Sequence, residues 1–350
     1  MKVVHIESGL GNQMLSFCEY LTLKQNTPND DIYIETIVFD IPECDDIVCQ
    51  WNGFELKRVF GIDVDNVQQL FSEDKWESII CDVRKTEFWK KKWNYPVYIT
   101  NVLNKYGLKL VNIRGDFERE KRQDGFRSIV SKIRHAFFFN TWVGVTIKRY
   151  ITFNSYRCIN KASNLENLHC SCDNIFTGQW LSYKFNGNKI EMIQSLISKY
   201  FVFPPFTDAK NEAFSQMLSN TNSVFIHARR GDMLSANGWC YKFGYFKRAI
   251  KYIKKHVENP VFVFFTNSGS VEWCRQHAAS IFGLVVTKDV IEYVDWNSGE
   301  NSYRDMQLMS FCKHGIITNS TFGWWGAYFI KNPNKITISP MAEINTTHHC

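Results

Sequence analysis

The pattern that most limits the fold lies between residues 223 and 339, where short apolar runs alternate with stretches whose apolar residues recur at helical spacing. The runs occupy 223–228, 261–265, 284–287, 315–318 and 335–339. Between them, Phe243, Phe246, Ile250 and Ile253 share one helical face, and Val271, Cys274, Ala278 and Ile281 share another. Two further helices are predicted near 303–313 and 322–331. Strands separated by helices return in the same direction, so they build a parallel sheet covered on both faces. The predicted fold class is α/β, with this half a doubly wound parallel sheet that binds a nucleotide beyond the carboxyl ends of its strands.

The first run, Val224-Phe225-Ile226-His227-Ala228, ends in Arg229-Arg230-Gly231-Asp232. Two adjacent guanidinium groups at a strand end call for an anion, and a diphosphate fits their paired donors best. The plainer alternative is that one arginine pairs with Asp232 across the Gly231 turn. Asn319-Ser320-Thr321 follows the strand at 316–318 and precedes a helix opening near Phe322. These residues can cap that helix, and the same geometry aims amide N–H groups at a phosphate. At the other end of the chain, a strand at 3–6 leads through Gly9-Leu10-Gly11-Asn12-Gln13 into a helix carrying Met14, Phe17 and Leu21. The turn is not a dinucleotide fingerprint, because Met14 stands where the third glycine belongs. It is expected to bring backbone close to a ligand and to leave helix N–H groups open to an anion.

A length of 350 residues suits two domains, placed at 1–210 and 211–345. With 45% hydrophobic and 22% charged residues the chain is a folded one. A net charge of +6 allows anionic partners without demanding nucleic acid. The start shows no charged-then-apolar leader and no run is long enough to cross a bilayer, so a cytosolic protein is expected. The eleven cysteines then read as reduced thiols. Basic and aromatic residues interleave at 84–93, and a second basic segment at 119–134 runs into Phe137-Phe138-Phe139 and Trp142. Both read as solvated faces beside a core, with peripheral contact to the inner face of a membrane as the functional alternative. His169-Cys170-Ser171-Cys172 lacks a second ligand pair for zinc, and no metal site is expected.

Three blocks together resemble glycosyltransferase family 11, the α1,2-fucosyltransferases. They are Gly9-Leu10-Gly11-Asn12-Gln13, His227-Ala228-Arg229-Arg230-Gly231-Asp232, and Asn319-Ser320-Thr321-Phe322-Gly323-Trp324-Trp325-Gly326-Ala327. In the family the last block reads Asn-Ser-Thr-Phe-Ser-Trp-Trp-Gly-Ala. The resemblance implies a GT-B-like fold of two facing Rossmann-like domains with a cleft, in a bacterial member without the animal enzymes' anchor. It implies inverting transfer of fucose from GDP-β-L-fucose to the 2-hydroxyl of a β-galactoside, with no metal or other cofactor and no nucleic acid. The acceptor would be a surface glycan or oligosaccharide, lipid-linked in some cases. Gly11, Asn12 and Gln13 would face the donor phosphate or reacting sugar. Two stretches depart from the family: Phe176-Thr177-Gly178-Gln179-Trp180-Leu181, expected beside the acceptor, and Phe265-Thr266-Asn267-Ser268, where the family has Phe-Ser-Asp-Asp.

Within that reading Arg229, Arg230 and the helix N–H groups near Ser320, Thr321 and Phe322 stabilise the charge growing on the leaving phosphate. Asp305, on the segment before the phosphate helix, suits guanine, whose N1–H and exocyclic amine one carboxylate can accept; the alternative is a charge favouring its own helix. Asp232 is the first candidate for the base, with His5 and Glu7 behind it, and His227 is expected to contact ribose or orient Arg229. Of Trp324 and Trp325 at least one belongs to the core. Two rival classes remain: a glycan- or nucleotide-binding protein without turnover, and a basic protein acting on nucleic acid. Within the enzyme class, another GDP-deoxysugar or linkage also remains open.

Overall fold

The computed structural model describes residues 1–44, 52–90, 95–112, 126–144, 146–147, 150, 174–177, 193–231, 234–267 and 269–340. Asp232, Ser268, the His169–Cys172 cluster and the stretch from Gly178 to Lys184 therefore lie outside the described residues. The chain divides into two compact units. Residues 1–131 with 155–203 form the first, and 204–345 with 132–154 form the second. The boundary falls earlier than the expected 210/211. Pro204 explains the shift, because its carbonyl accepts hydrogen bonds from Arg304 (2.8 Å) and Gln307 (2.9 Å), both in the second unit.

In the first unit β1 (Lys2–His5), α1 (Leu10–Asn26) and β2 (Ile32–Glu35) open the chain. They are followed by α2 (Glu55–Phe60), α3 (Glu73–Lys85), α4 (Tyr95–Lys105), β3 (Val111–Asn112), α5 (Phe126–Asn140, which continues from Lys132 into the second unit), β4 (Ile175–Thr177) and α6 (Gln194–Tyr200). The strands form one parallel sheet in the order β2-β1-β4-β3. Val3 and Phe176 pack on α3 and α4 through Trp76, Ile79, Val83, Ile99 and Leu103.

The second unit contains α7 (Ala209–Asn220), β5 (Asn222–Ala228), α8 (Leu234–Lys242), α9 (Tyr245–His256), β6 (Pro260–Thr266) and α10 (Val271–Gln276). Then come β7 (Val290–Val294), α11 (Tyr303–Phe311), β8 (His314–Ile317), α12 (Thr321–Phe329) and β9 (Thr337–Ile338). All five strands are parallel, in the order β7-β6-β5-β8-β9. Counted along the chain this is 3-2-1-4-5, the doubly wound order, and it reverses direction between β5 and β8. Side chains alternate across the sheet. Val224 and Ile226 of β5 and Phe262 and Phe264 of β6 face α8, α9 and α10. Phe225, Val263 and Phe265 face α7, α11 and α12.

One strand lies elsewhere than predicted. The apolar run Leu284-Val285-Val286 is not a strand; β7 is at Val290–Val294. Gly283 adopts a left-handed conformation and closes the helical turn Ala278–Phe282. The chain then turns again, with the Val285 N–H donating to Asp289 Oδ2 at 2.6 Å. Leu284 is buried under that turn, while Val285 and Val286 are exposed.

Candidate functional site

The reversal of strand order places the carboxyl ends of β5 and β8 side by side, and both conspicuous polar blocks of this half sit there. After Ala228, Gly231 turns the chain at φ 59°. Asn267, from the end of β6, secures the turn by accepting the Arg230 N–H at 2.7 Å, and the Thr266 hydroxyl donates to the Ala228 carbonyl at 2.7 Å. The departure at Thr266-Asn267 is thus a device that holds the arginine loop.

Arg230 lies face to face with Trp273 of α10, its guanidinium carbon 3.3 Å from the ring centroid, and 5.1 Å from the ring of Tyr241 of α8. The Tyr241 hydroxyl donates to the Arg229 carbonyl at 2.9 Å. Stacking fixes the plane of a guanidinium without consuming its N–H donors. Among the described residues no carboxylate reaches Arg230. The alternative of an arginine paired with Asp232 lies outside the described residues.

At the end of β8, Ser320 is the N-cap of α12, yet its side chain accepts no hydrogen bond from the helix. Capping therefore does not account for this residue, and the amides of Phe322 and Gly323 at the start of α12 are left without a side-chain cap. Asn319, Ser320, Thr321 and Phe322 are all partly accessible, while Gly323 is buried. Trp325 is wholly buried, and Trp324 stacks on Tyr328 at 5.5 Å.

His227 points to the α11 and α12 face of β5. It is buried, and its ring lies 5.7 Å from Phe322. Its Nδ1 has no hydrogen-bond partner and abuts Gly323, where an added Cβ would lie 2.3 Å away. Burial, with the neighbouring Arg229 charge adding to it, drives its pKa down to about 3, so the ring is neutral.

Asp305 lies in the first turn of α11, on the same edge of the sheet. It does not serve its own helix as a side-chain cap: Asn297 Nδ2 donates to Asp305 Oδ1 at 2.8 Å. Asn297 is held in turn by Asn211 of α7, which also accepts from the Trp296 indole at 2.9 Å and is tied to Asp208. Burial pushes the Asp305 carboxyl up to about 7, partly offset by Asn297. Sequence reasoning missed Trp273, Tyr241, Asn297 and Asn211, because nothing in their spacing marks them. Each is brought to the site only by the winding of the sheet.

A model of glycosyl transferase family 11 matches 208–349. The α-1,2-colitosyltransferase of Escherichia coli is 30% identical over 271 residues, covering 70% of this chain and 84% of that protein. The chain belongs to glycosyltransferase family 11. A second relative, galactoside α-(1,2)-fucosyltransferase 1 of Leontopithecus chrysomelas, is 33% identical over 111 residues, or 30% of this chain and 28% of the relative. Among solved structures, the fucosyltransferase NodZ from Bradyrhizobium aligns with 93% of this chain and 91% of its own, at 13% identity and a TM-score of 0.42.

In the first unit of this family 11 transferase, the glycine block is arranged differently from expectation. Gln13 is fully buried. Its Nε2 donates to the carbonyls of Ser8 (2.7 Å) and Gly53 (2.9 Å), and its Oε1 accepts the Glu55 N–H at 2.8 Å. Both amide protons and one lone pair are spent on backbone, so Gln13 braces the turn. The amino end of α1 is occupied as well, because the Leu10 N–H donates to Glu55 Oε2 at 3.0 Å. Gly11 is buried and Asn12 partly accessible. Below the turn His5 lies between Glu35 (2.5 Å) and Glu7 (3.3 Å). Burial lowers its pKa, but the two carboxylates outweigh that and raise it. Among the described residues no cluster of His, Cys, Asp or Glu could hold a metal ion.

Proposed function

We propose that the protein transfers L-fucose from GDP-β-L-fucose to the 2-hydroxyl of a terminal β-galactoside, with inversion at the anomeric carbon. The observation that carries this reading is Arg230, stacked on Trp273 at the strand-order reversal with no carboxylate on its guanidinium among the described residues, on the edge that also bears the amino end of α12. The acceptor oxygen attacks the anomeric carbon as the bond to the β-phosphate oxygen breaks, and GDP leaves. Negative charge grows on that phosphate, and donors fixed in advance bind it more strongly in the transition state than in the ground state. Arg229, Arg230 and the α12 amides perform this task, so the reaction needs no metal. Asn319, Ser320 and Thr321 line the same turn, and Asp305 accepts the guanine N–H groups. The neutral His227 packs behind the phosphate turn. The acceptor proton goes to a carboxylate, with Asp232 the first candidate. The acceptor is a surface glycan or free oligosaccharide, and the enzyme works in the cytosol, in keeping with the buried Cys18, Cys240, Cys274 and Cys312, none of them in a disulfide.

A second donor, a colitosyl one in place of fucosyl, is favoured by the identity with the α-1,2-colitosyltransferase. The test is GDP release from each donor in EDTA with lactose and Galβ1-3GlcNAc as acceptors. Acceptor-dependent release that Arg230→Ala abolishes, with product linked at the galactose 2-position, is expected. Release that requires added metal, or GDP binding unaffected by Arg230→Ala, would overturn the reading.

A further inference from the structure

Helix α5 carries an apolar stripe that is exposed among the described residues. Ile129, Val130, Ile133 and Phe137 recur at the spacing of one helical face. Their side chains are exposed, Ile129 at 57% and Ile133 at 65%. The chain then turns at Thr141, whose hydroxyl donates to the Phe137 carbonyl at 2.7 Å, and presents Trp142 at 69% and Val143 at 54% exposure. An amphipathic helix of a globular protein normally turns such a stripe inward. Here the stripe faces water, and Lys132 and Arg134 flank it, with the Arg134 guanidinium 5.7 Å from the Phe138 ring.

We propose that α5 and the turn after it form a docking surface for an anionic lipid bilayer. Over the described span of α5 and the turn after it, 126–144, the sequence contains Arg127, Lys132 and Arg134 and no acidic residue. A bilayer with anionic headgroups matches both halves of this pattern: the apolar stripe enters the acyl boundary and the basic flanks stay with the phosphates. An aromatic ring such as Trp142 suits the interface, where one edge is dry and the other wet. Nucleic acid fits poorly, because the centre of the face is aliphatic and stacking on bases needs aromatic rings there. A second copy fits less well, since two such faces would bring Lys132 and Arg134 of each copy together. The surface holds the enzyme where a lipid-linked acceptor would be presented, and it does not depend on which sugar is transferred.

The test is co-sedimentation of the whole protein with phosphatidylcholine vesicles, with and without phosphatidylglycerol, at low and high salt. Binding to the phosphatidylglycerol vesicles that salt reverses is expected. The double variant Ile133→Asp/Phe137→Asp should lower the partition coefficient at least about tenfold. Lys132→Glu/Arg134→Glu should lower it about fivefold for each charge removed. Both variants touch only exposed side chains and should keep the wild-type thermal midpoint and GDP affinity. Equal sedimentation of wild type and both variants, or no binding to anionic vesicles at low salt, overturns the proposal. So does a dimer mass by light scattering that Ile133→Asp converts to a monomer, which would make the face a contact between copies.

Discussion

Asp305→Asn separates guanine recognition from a structural role for this carboxyl. In the unliganded protein burial pushes the group up to about 7, with the Asn297 hydrogen bond offsetting part of the effect. Such a carboxyl is about nine-tenths ionised at pH 8 and about one-tenth ionised at pH 6. On the proposed reading guanine donates its N1–H and exocyclic amine to the ionised form, so GDP affinity should fall about tenfold from pH 8 to pH 6 through this residue. Stability of the free protein moves the other way. The folded pKa is raised, so the native state holds an extra proton between the ordinary carboxyl value and about 7, and stability is lost as pH rises through that window. The asparagine variant should remove both effects, binding GDP weakly at pH 8 and unfolding at a higher temperature than wild type there. Titration calorimetry with GDP and IDP at three pH values, beside thermal melts without nucleotide, measures each arm. IDP lacks the exocyclic amine, so its deficit against GDP should vanish in the variant. If Asp305→Asn binds GDP as tightly as wild type at pH 8, or both proteins share one pH dependence, the carboxyl does not read the base.

Two other substitutions probe the frame of the site. Gly323→Ala drives a methyl into His227 Nδ1, 2.3 Å away, and because β5 and α12 enclose the ring the cost should be about 1–3 kcal/mol in urea unfolding. Gly323→Ser, the residue the family carries, should recover about 1 kcal/mol of that by donating to the unpartnered nitrogen. Gln13→Leu strands the Glu55 N–H and the Ser8 and Gly53 carbonyls, and should cost about 3 kcal/mol or more by thermal unfolding while leaving the GDP affinity of the folded protein unchanged. A selective loss of GDP affinity in that variant would return Gln13 to the donor site.

Much of the second unit is legible in the sequence because its signals are local. The continuous apolar run Val224-Phe225-Ile226 and the helical spacing of Phe246, Ile250 and Ile253 each follow from a few neighbouring residues, and the fold realises them. The third strand misleads for the same reason. Leu284-Val285-Val286 has strand composition, but Gly283 and the Asp289 carboxylate convert it into a turn, and the edge strand β7 alternates too weakly to stand out. Glycosyltransferase family 11 is likewise visible in three short blocks, since tight turns between strand and helix need particular residues in sequence order.

The sequence alone determined the alternation of strands and helices, the paired arginines at a strand end and the Ser/Thr block before a helix, each dictated by the chemistry of adjacent residues. Tertiary structure alone decided what surrounds them. It set the strand order that brings β5 beside β8, laid Trp273 against Arg230, chained Asp208, Asn211 and Asn297 to Asp305, and consumed Gln13 within its own turn. Those partners are separated by up to about a hundred residues, and a side chain's free donors or shifted pKa depend on what packs against it in space, which no local pattern records.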